Sequence, residues 1–225
     1  MPLRILCFFT AVSLLFTVSV FSCEKTGVYR HVCTDEKKIA LTFDDGPHYK
    51  YTEQILDILK KYGVKATFFV IGVNAEKYPQ KVKRISDEGH EIGNHTYSHL
   101  NLRELDEKEI RQELIKGERA IQKITKKKPK LLRPPGGAYS DLVIKASSEM
   151  GCDIILWSQD TRDWAHTPAD KIVCGIMDNV KGGDIILFHD FVCPDTPTPE
   201  ALEKIIPKLL KSGYEFVTVS ELIGE

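Results

Sequence analysis

From Lys37 onward the sequence alternates short apolar runs with longer amphipathic stretches, and this alternation limits the chain to few folds. Apolar runs of four to eight residues are typical of buried strands, and apolar residues at a spacing of three and four are typical of helices. Strands that are joined by helices pair in parallel. We therefore predict an α/β fold in which about seven β/α units form a barrel, as one domain over residues 37–225.

The predicted elements follow the chain in regular order. The predicted strands are Ile39–Phe43, Ala66–Ile71, Glu91–Asn94, Leu131–Leu132, Asp153–Trp157, Asp184–Phe188 and Phe216–Val219. The predicted helices are Thr52–Tyr62, Tyr78–Glu88, Glu107–Ile124, Leu142–Met150, Pro168–Val180 and Pro199–Lys211. In the first helix the buried face consists of Ile55, Leu56, Ile58 and Leu59, and Gly63 ends the helix.

Residues 1–22 differ from the rest of the chain. Arg4 precedes an uncharged apolar run that is short for a membrane span, which favours a signal peptide, with an uncleaved membrane anchor as the alternative. Small or aliphatic residues before Cys23 resemble a bacterial lipoprotein cleavage site, although Phe21 fits that pattern poorly. We expect an exported protein, extracellular or tethered at the cell surface through this segment or a lipidated Cys23. Residues 23–36 are predicted to be a short linker.

Charge and cysteine content exclude other classes. The formal net charge is −1, and no basic stripe with interleaved aromatics occurs, so nucleic acid is not an expected partner. Nothing in the sequence implies a protein partner. The 6 cysteines have neither C-x-x-C spacing nor the density of a disulfide scaffold, and we assign no disulfide pairing.

The first predicted strand ends in two adjacent carboxylates, Asp44 and Asp45, followed by Gly46 and Pro47. Adjacent residues of a strand point to opposite sides, so the two side chains can have different roles. One can ligate a cation while the other accepts a proton. The alternative is an ordinary turn, because Asp, Gly and Pro dominate turns.

His95 and His99 follow the third predicted strand. Two histidines with this spacing face the same way on a helical turn, which suits a single cation. Together with Asp45 they supply two imidazoles and one carboxylate, the ligand count of a catalytic metal site with open positions. His90, just upstream, is expected to be structural.

Three more polar groups follow predicted strands. Arg133 precedes two prolines and two glycines, an acidic loop runs from Trp157 to Trp164, and His189 ends an apolar run. The alternatives are a rigid turn with a surface arginine and a core histidine. In a parallel β/α barrel the carboxyl ends of the strands form one rim, where active sites lie.

The motifs T-F-D-D-G-P, H-T-Y-S-H, R-P-P-G-G, D-T-R-D-W and L-F-H occur in the order and spacing of the polysaccharide deacetylases. Over residues 37–225 the chain resembles this family, carbohydrate esterase family 4, also called the NodB homology domain. The resemblance implies a distorted (β/α) barrel and the removal of N-acetyl groups from amino-sugar polymers.

The resemblance also implies roles for individual residues. It makes Asp44 the general base, oriented by Arg133, and His189 the general acid, tuned by Asp163. Asp160 is a second acidic candidate in the same loop and ranks below Asp163. The implied metal ligands are Asp45, His95 and His99, which would hold one divalent ion, zinc by preference and cobalt as the second choice.

The implied substrate contacts are Pro135, Gly136, Trp164 and Leu187. Trp164 and Leu187 would shape the pocket for the acetyl methyl, and the Gly136 N–H would face the oxyanion. Many family members have an aromatic residue where this chain has Gly136, so the contacts of the substrate groove are expected to differ.

Peptidoglycan is the expected substrate, because the leader resembles a bacterial one and no separate chitin-binding module is present. The alternatives are a chitooligosaccharide deacetylase, an amidohydrolase of the same fold acting on a small amide, and a catalytically idle wall-binding protein.

Overall fold

Parallel strands form one sheet in the computed structural model, which describes residues 27–191 and 195–224. The predicted leader, Cys7, Cys23 and Cys193 lie outside these residues. The strands are β1 (Val28–Tyr29), β2 (Lys38–Asp44), β3 (Thr67–Val70), β4 (Glu91–Asn94), β5 (Leu131–Leu132), β6 (Asp153–Ile155), β7 (Gln159–Asp160), β8 (Ile185–His189) and β9 (Glu215–Phe216). Their order is β1-β6-β5-β4-β3-β2-β8-β7, and β9 also pairs with β2.

The helices cover the curled sheet. They are α1 (Tyr51–Tyr62), α2 (Gly72–Lys77), α3 (Pro79–Asp87), α4 (Glu107–Thr125), α5 (Asp141–Glu149), α6 (Ala169–Asn179), α7 (Thr198–Lys211) and α8 (Val219–Ile223). Among the described residues no ladder joins β1 to β7, so the sheet forms a half-barrel. The predicted distorted (β/α) barrel in a single domain is confirmed.

The main core lies between the sheet and the helices packed on it. Strand β2 is buried along almost its whole length, as expected for a parallel sheet covered on both faces. The predicted apolar face of α1 is buried, and Gly63 ends this helix with a left-handed φ of 66°. Each fully buried aliphatic side chain contributes about 1.5–3 kcal/mol relative to exposure, so β2 and its polar end are held on a rigid base.

Four short elements, β1, β7, α2 and α8, lie outside the predicted ones, and one predicted element is wrong. Strand β1 lies within the predicted linker and pairs with β6, while β7 and α2 follow other strands. The predicted strand Phe216–Val219 ends at Phe216, because Thr218 starts a helix. Its side chain accepts a hydrogen bond from the Glu221 N–H, and Glu221 accepts one from the Thr218 N–H.

Two further properties concern the described part of the chain only. No helix in it has the length and apolar character needed to cross a membrane. Cys33, Cys152 and Cys174 carry free thiols, and of these only Cys152 is buried.

Candidate active site

The carboxyl ends of four strands bring the predicted residues to one edge of the sheet. Asp44 ends β2 and lies in register with His189 at the end of β8. His95 and Arg133 directly follow β4 and β5, whose ends are also paired. Because all these strands are parallel, their polar ends lie on the same rim, as the sequence predicted.

Arg133 is fully buried and holds Asp44. Its Nη1 donates to Asp44 Oδ1 and to Thr42 Oγ1, both at 2.8 Å. Its Nε and Nη2 donate to the carbonyls of Ile155 and Leu156 at 3.1 and 2.9 Å, and its guanidinium lies over a phenylalanine ring. Burial lowers the pKa of Arg133 and the Asp44 carboxylate opposes that change, and an arginine side chain stays charged in proteins.

Asp45, His95 and His99 form a compact cluster. The Asp45 Oδ1 atom lies 3.1 Å from His99 Nε2 and 3.4 Å from His95 Nε2. One ligand atom from each of the three residues lies within 4.8 Å of the other two. Asp45 Oδ1 is buried and accepts no hydrogen bond of good geometry. Burial alone would raise the pKa of Asp45, but the two imidazoles, when protonated, hold it well below its usual range.

The hydrogen bond on the far side of His95 decides whether this cluster fits a cation. His95 Nδ1 lies 2.7 Å from the carbonyl oxygen of Arg133, which can only accept. In the neutral imidazole the proton is therefore on Nδ1, and the lone pair of Nε2 points towards Asp45. A lone pair and an unpartnered carboxylate oxygen that converge repel each other unless a positive charge lies between them. The donor set thus fits a divalent ion.

The backbone that carries the histidines differs from the prediction. Residues 95–99 form a loop and not a helical turn, with left-handed φ values at Thr96 and His99. Thr96 Oγ1 accepts from the His99 N–H at 3.1 Å, and Glu113 accepts two hydrogen bonds from Ser98. The predicted grouping of the two histidines is present, but these side-chain hydrogen bonds produce it and helical periodicity does not.

Asp163 is fully buried and holds His189 at the end of β8. Its Oδ1 atom lies 2.8 Å from His189 Nδ1, and its Oδ2 accepts from the His189 N–H at 2.7 Å and from Thr198 Oγ1 at 2.6 Å. Burial lowers the pKa of His189, but the hydrogen bond and charge of Asp163 outweigh it and raise the pKa to about 9. Asp160 is exposed and contacts Arg162 and Trp164 instead.

The four predicted substrate contacts occupy different environments. Pro135 and Leu187 are buried, whereas Trp164 is 49% exposed. Gly136 has a left-handed φ of 61°, and the space where a side chain would start is open. The hydrogen bonds of this turn use the N–H groups of Gly137 and Ala138, so neither of them involves the Gly136 N–H.

Sequence reasoning missed Asp190 and Thr52, which lie under the Asp45 turn. Thr52 Oγ1 donates to Asp190 Oδ2 at 2.5 Å and accepts from the His48 N–H at 2.7 Å. Burial raises the pKa of Asp190 to about 7, and a Cβ at Gly46 would collide with its carboxylate. The sequence does contain a signal for Thr52, because it is a polar residue on the otherwise apolar face of α1.

His90, which we expected to be structural, lies apart from the cluster. It is buried, and its ring lies edge-on to Phe68 at 5.6 Å between centroids. Burial lowers its pKa to about 4, so the ring is neutral at pH 7. These contacts are those of a core residue.

Comparison with known proteins identifies the family. Residues 31–155 match the family described as polysaccharide deacetylase. A peptidoglycan-N-acetylglucosamine deacetylase of Bacillus cereus is 46% identical over 203 residues, which cover 89% of this chain and 95% of that protein. A solved peptidoglycan N-acetylglucosamine deacetylase, in complex with an N-oxidanyl-benzamide, has a TM-score of 0.84 at 42% identity and covers 88% of this chain and 94% of that one.

A second solved structure has the same fold without the activity. It is a family 4 pseudoenzyme from Bacillus anthracis, with a TM-score of 0.81 at 35% identity, and it covers 87% of this chain and 68% of that one. The fold alone therefore does not establish turnover, and the residues at the rim carry that argument. On the match to the family and to its closely similar members, this chain belongs to the polysaccharide deacetylase family.

Proposed function

We propose that this protein is a metal-dependent hydrolase that removes N-acetyl groups from GlcNAc residues of bacterial peptidoglycan. The observation that carries the proposal is the convergence of Asp45, His95 and His99 at a rim that also holds two buried ion pairs. One pair supplies a carboxylate, Asp44, and the other an imidazolium, His189. Hydrolysis of an amide needs one group that accepts a proton and one that donates a proton, and this site holds both.

Asp44 is the proposed general base. Arg133 binds its Oδ1 atom, and its Oδ2 atom lies on the side of the cluster, 3.8 Å from His95 Nε2. The arginine fixes the carboxylate in one orientation through a charge-assisted hydrogen bond. The carboxylate can then take the proton of a water that attacks the acetamide carbonyl.

His189 is the proposed general acid. A pKa of about 9 keeps its ring protonated at neutral pH, and its Nδ1–H is held by Asp163. The ring therefore presents Nε2–H as the proton that the departing amine requires. Asp163 acts through His189, as a residue that sets its orientation and its charge.

The proposed metal ligands are Asp45, His95 and His99, with zinc as the preferred ion and cobalt as the second choice. When bound there, a divalent ion polarises the amide carbonyl and lowers the pKa of the attacking water. The hydrogen bond from His95 Nδ1 to the Arg133 carbonyl leaves Nε2 of the neutral ring free to bind the ion.

The proposed substrate contacts are Pro135, Gly136, Trp164 and Leu187. The open space at Gly136 and the exposed face of Trp164 support a place for the sugar and its acetyl group. Pro135 and Leu187 are buried behind them. The Gly136 N–H is the proposed second donor to the oxyanion.

Peptidoglycan is the proposed polymer because a relative that shares 46% identity with this chain is a peptidoglycan-N-acetylglucosamine deacetylase. We also propose that the chain is exported and acts at the cell surface, with residues 1–22 as signal peptide or anchor and 37–225 as the catalytic domain. A lipidated Cys23 would be the alternative tether.

Mass spectrometry tests the proposal. Zinc-loaded protein is incubated with muropeptides and, in parallel, with chitin oligomers, and loss of acetyl groups is measured. We expect loss from the GlcNAc residues of muropeptides, and none with the Asp44→Asn variant. Loss from chitin oligomers alone would favour the chitooligosaccharide alternative, and no loss from any substrate would favour the idle wall-binding protein.

A further inference from the structure

Four aromatic rings lie beside Asp45 and His189, three of them on the loops that leave the site and the fourth, Tyr51, at the first residue of α1. The His48 ring is nearly parallel to those of Tyr51 and Phe191, at 5.0 and 4.8 Å between centroids, and the Tyr49 ring lies 4.4 Å away. We call His48, Tyr49, Tyr51 and Phe191 the aromatic wall. Because β2 and β8 are paired at their ends, the two loops that form the wall leave the sheet side by side, next to the catalytic groups.

The outer part of the wall is exposed although it is apolar. Tyr51 is buried and forms the base of the stack, whereas Tyr49 is 62% exposed and Phe191 is 39% exposed. Single exposed apolar residues are normal on a protein surface. Tyr49 and Phe191 both contact the His48 ring, so two large exposed rings lie together at the border of the site, and apolar surfaces of this kind mark ligand-binding grooves.

Hydrogen bonds hold the wall in place before any ligand binds. His48 Nδ1 accepts from the Tyr51 N–H at 3.2 Å, and the His48 N–H donates to Thr52 Oγ1. The Tyr51 hydroxyl donates to Asp195 Oδ1 at 2.7 Å. Burial, followed by nearby lysines, lowers the pKa of His48, so its ring stacks in the neutral form at pH 7. A surface that is already ordered costs less conformational entropy on binding.

We propose that the aromatic wall binds the pyranose ring adjacent to the one that is deacetylated, and so selects polymers over short substrates. This inference rests on the proposed function. The apolar C–H face of a pyranose packs against the electron-rich face of an aromatic ring. Gly136 offers no side chain on the loop after β5, so the loops after β2 and β8 supply flat apolar surface for the glycan.

Chain-length dependence tests this proposal. The kcat/KM for deacetylation is measured on an N-acetylated monosaccharide, which has no adjacent ring, and on the tetrasaccharide of the same series, with zinc-loaded protein. The Tyr49→Ala/Phe191→Ala double variant should lose about threefold to tenfold on the tetrasaccharide, the effect of one lost aromatic packing contact. On the monosaccharide it should stay within about twofold of the wild type, as for surface changes outside the site.

Two further variants make the test specific. Leu210→Ala removes a comparably exposed apolar side chain from the end of α7, and it should leave kcat/KM unchanged on both substrates. Phe191→Trp keeps an aromatic face and should retain the preference for the tetrasaccharide. As a readout without turnover, calorimetry on an Asp44→Asn background should show weaker tetrasaccharide binding when the two wall residues are also replaced.

The outcomes separate this proposal from the proposed function. If the double variant lowers kcat/KM equally on both substrates, or leaves the tetrasaccharide unchanged, the wall does not bind the adjacent sugar. If zinc-loaded wild-type protein deacetylates no substrate at all, the proposed function fails instead.

Discussion

The proposed metal-ligand cluster and the two ion pairs at the same rim are built from the same kinds of side chain, but their polar atoms differ in how completely they are hydrogen-bonded. The Arg133–Asp44 pair has protein partners for both nitrogen ends of the guanidinium, and Asp163 has protein donors at both oxygens. In the cluster, by contrast, the Asp45 Oδ1 atom is buried without a hydrogen bond. In each pair the contact between the two charged partners is satisfied within the chain, whereas the cluster leaves a buried carboxylate oxygen without a donor.

This difference assigns separate tasks to neighbouring residues. The satisfied pairs maintain the shape and charge of the site in the absence of any ligand. The cluster places an unsatisfied oxygen and imidazole nitrogens where they gain most from a cation. Removal of the cation should therefore abolish chemistry and leave the fold intact, whereas breaking a pair should damage the fold as well.

Metal removal should have the largest effect on activity. A chelator should reduce deacetylation to background while the far-ultraviolet circular dichroism spectrum remains unchanged, because the core does not depend on the cluster. Added zinc or cobalt should restore the rate, since both ions suit a site of nitrogen and oxygen ligands. Full activity in a sample shown by mass spectrometry to be free of metal would contradict the assignment of the cluster.

Arg133→Met should have the largest effect on stability. The substitution leaves Asp44 buried without its partner, and breaking a buried ion pair costs about 3–5 kcal/mol of the free energy of unfolding. Urea denaturation measures this loss. Arg84→Met is the matched control, because Arg84 makes three carboxylate contacts on the partly exposed surface and should lose far less. Equal losses in the two variants would mean that the buried pair has no special structural role.

Asp163→Asn should have a smaller effect that depends on pH. A general acid acts in its protonated form, so the rate falls as the pH rises through its pKa. In the wild-type protein that fall should occur near the His189 pKa of about 9. Without the Asp163 charge, burial dominates, and the pKa of His189 should drop towards or below its ordinary value of 6.5.

The pH profile of kcat/KM checks this shift. We expect the alkaline limb of Asp163→Asn to move to lower pH, with a rate loss of about 10²-fold at pH 8. An alkaline limb that stays in place would show that Asp163 does not set the charge of the acid. Asp160→Asn is the control, since Asp160 makes its hydrogen bonds to Arg162 and Trp164 and should leave the limb unchanged.

Long apolar runs made most of the fold predictable. Ile39–Phe43 could be identified as a buried strand because several consecutive apolar residues need cover on both faces. Strand β7 could not be predicted, because Gln159 and Asp160 are polar. They form a strand because they pair with the edge of β8. Tertiary contact decides such two-residue strands, and local pattern does not.

The candidate site likewise contains residues that local sequence pattern predicts and residues that only tertiary packing brings together. Asp44, Arg133 and His189 were found because each follows an apolar run, and their common edge is a consequence of parallel pairing. Asp190 was missed, since its closeness to Gly46 and Thr52 arises only when β2, α1 and the end of β8 pack together. The spacing of His95 and His99 predicts a helical turn, but these residues form a loop. Side-chain hydrogen bonds hold that loop, and residue spacing alone does not reveal them.

The different tasks of Asp44 and Asp45 are the central claim, and one paired measurement tests it most directly. Metal content and turnover are determined for Asp44→Asn and Asp45→Asn, both confirmed to be folded. Asp44→Asn should hold metal like the wild type and lose about 10²–10⁴-fold in rate, the usual cost of removing a general base, whereas Asp45→Asn should lose the metal itself. Turnover near the wild-type rate in Asp44→Asn, or loss of its metal to the same extent as in Asp45→Asn, would contradict the account.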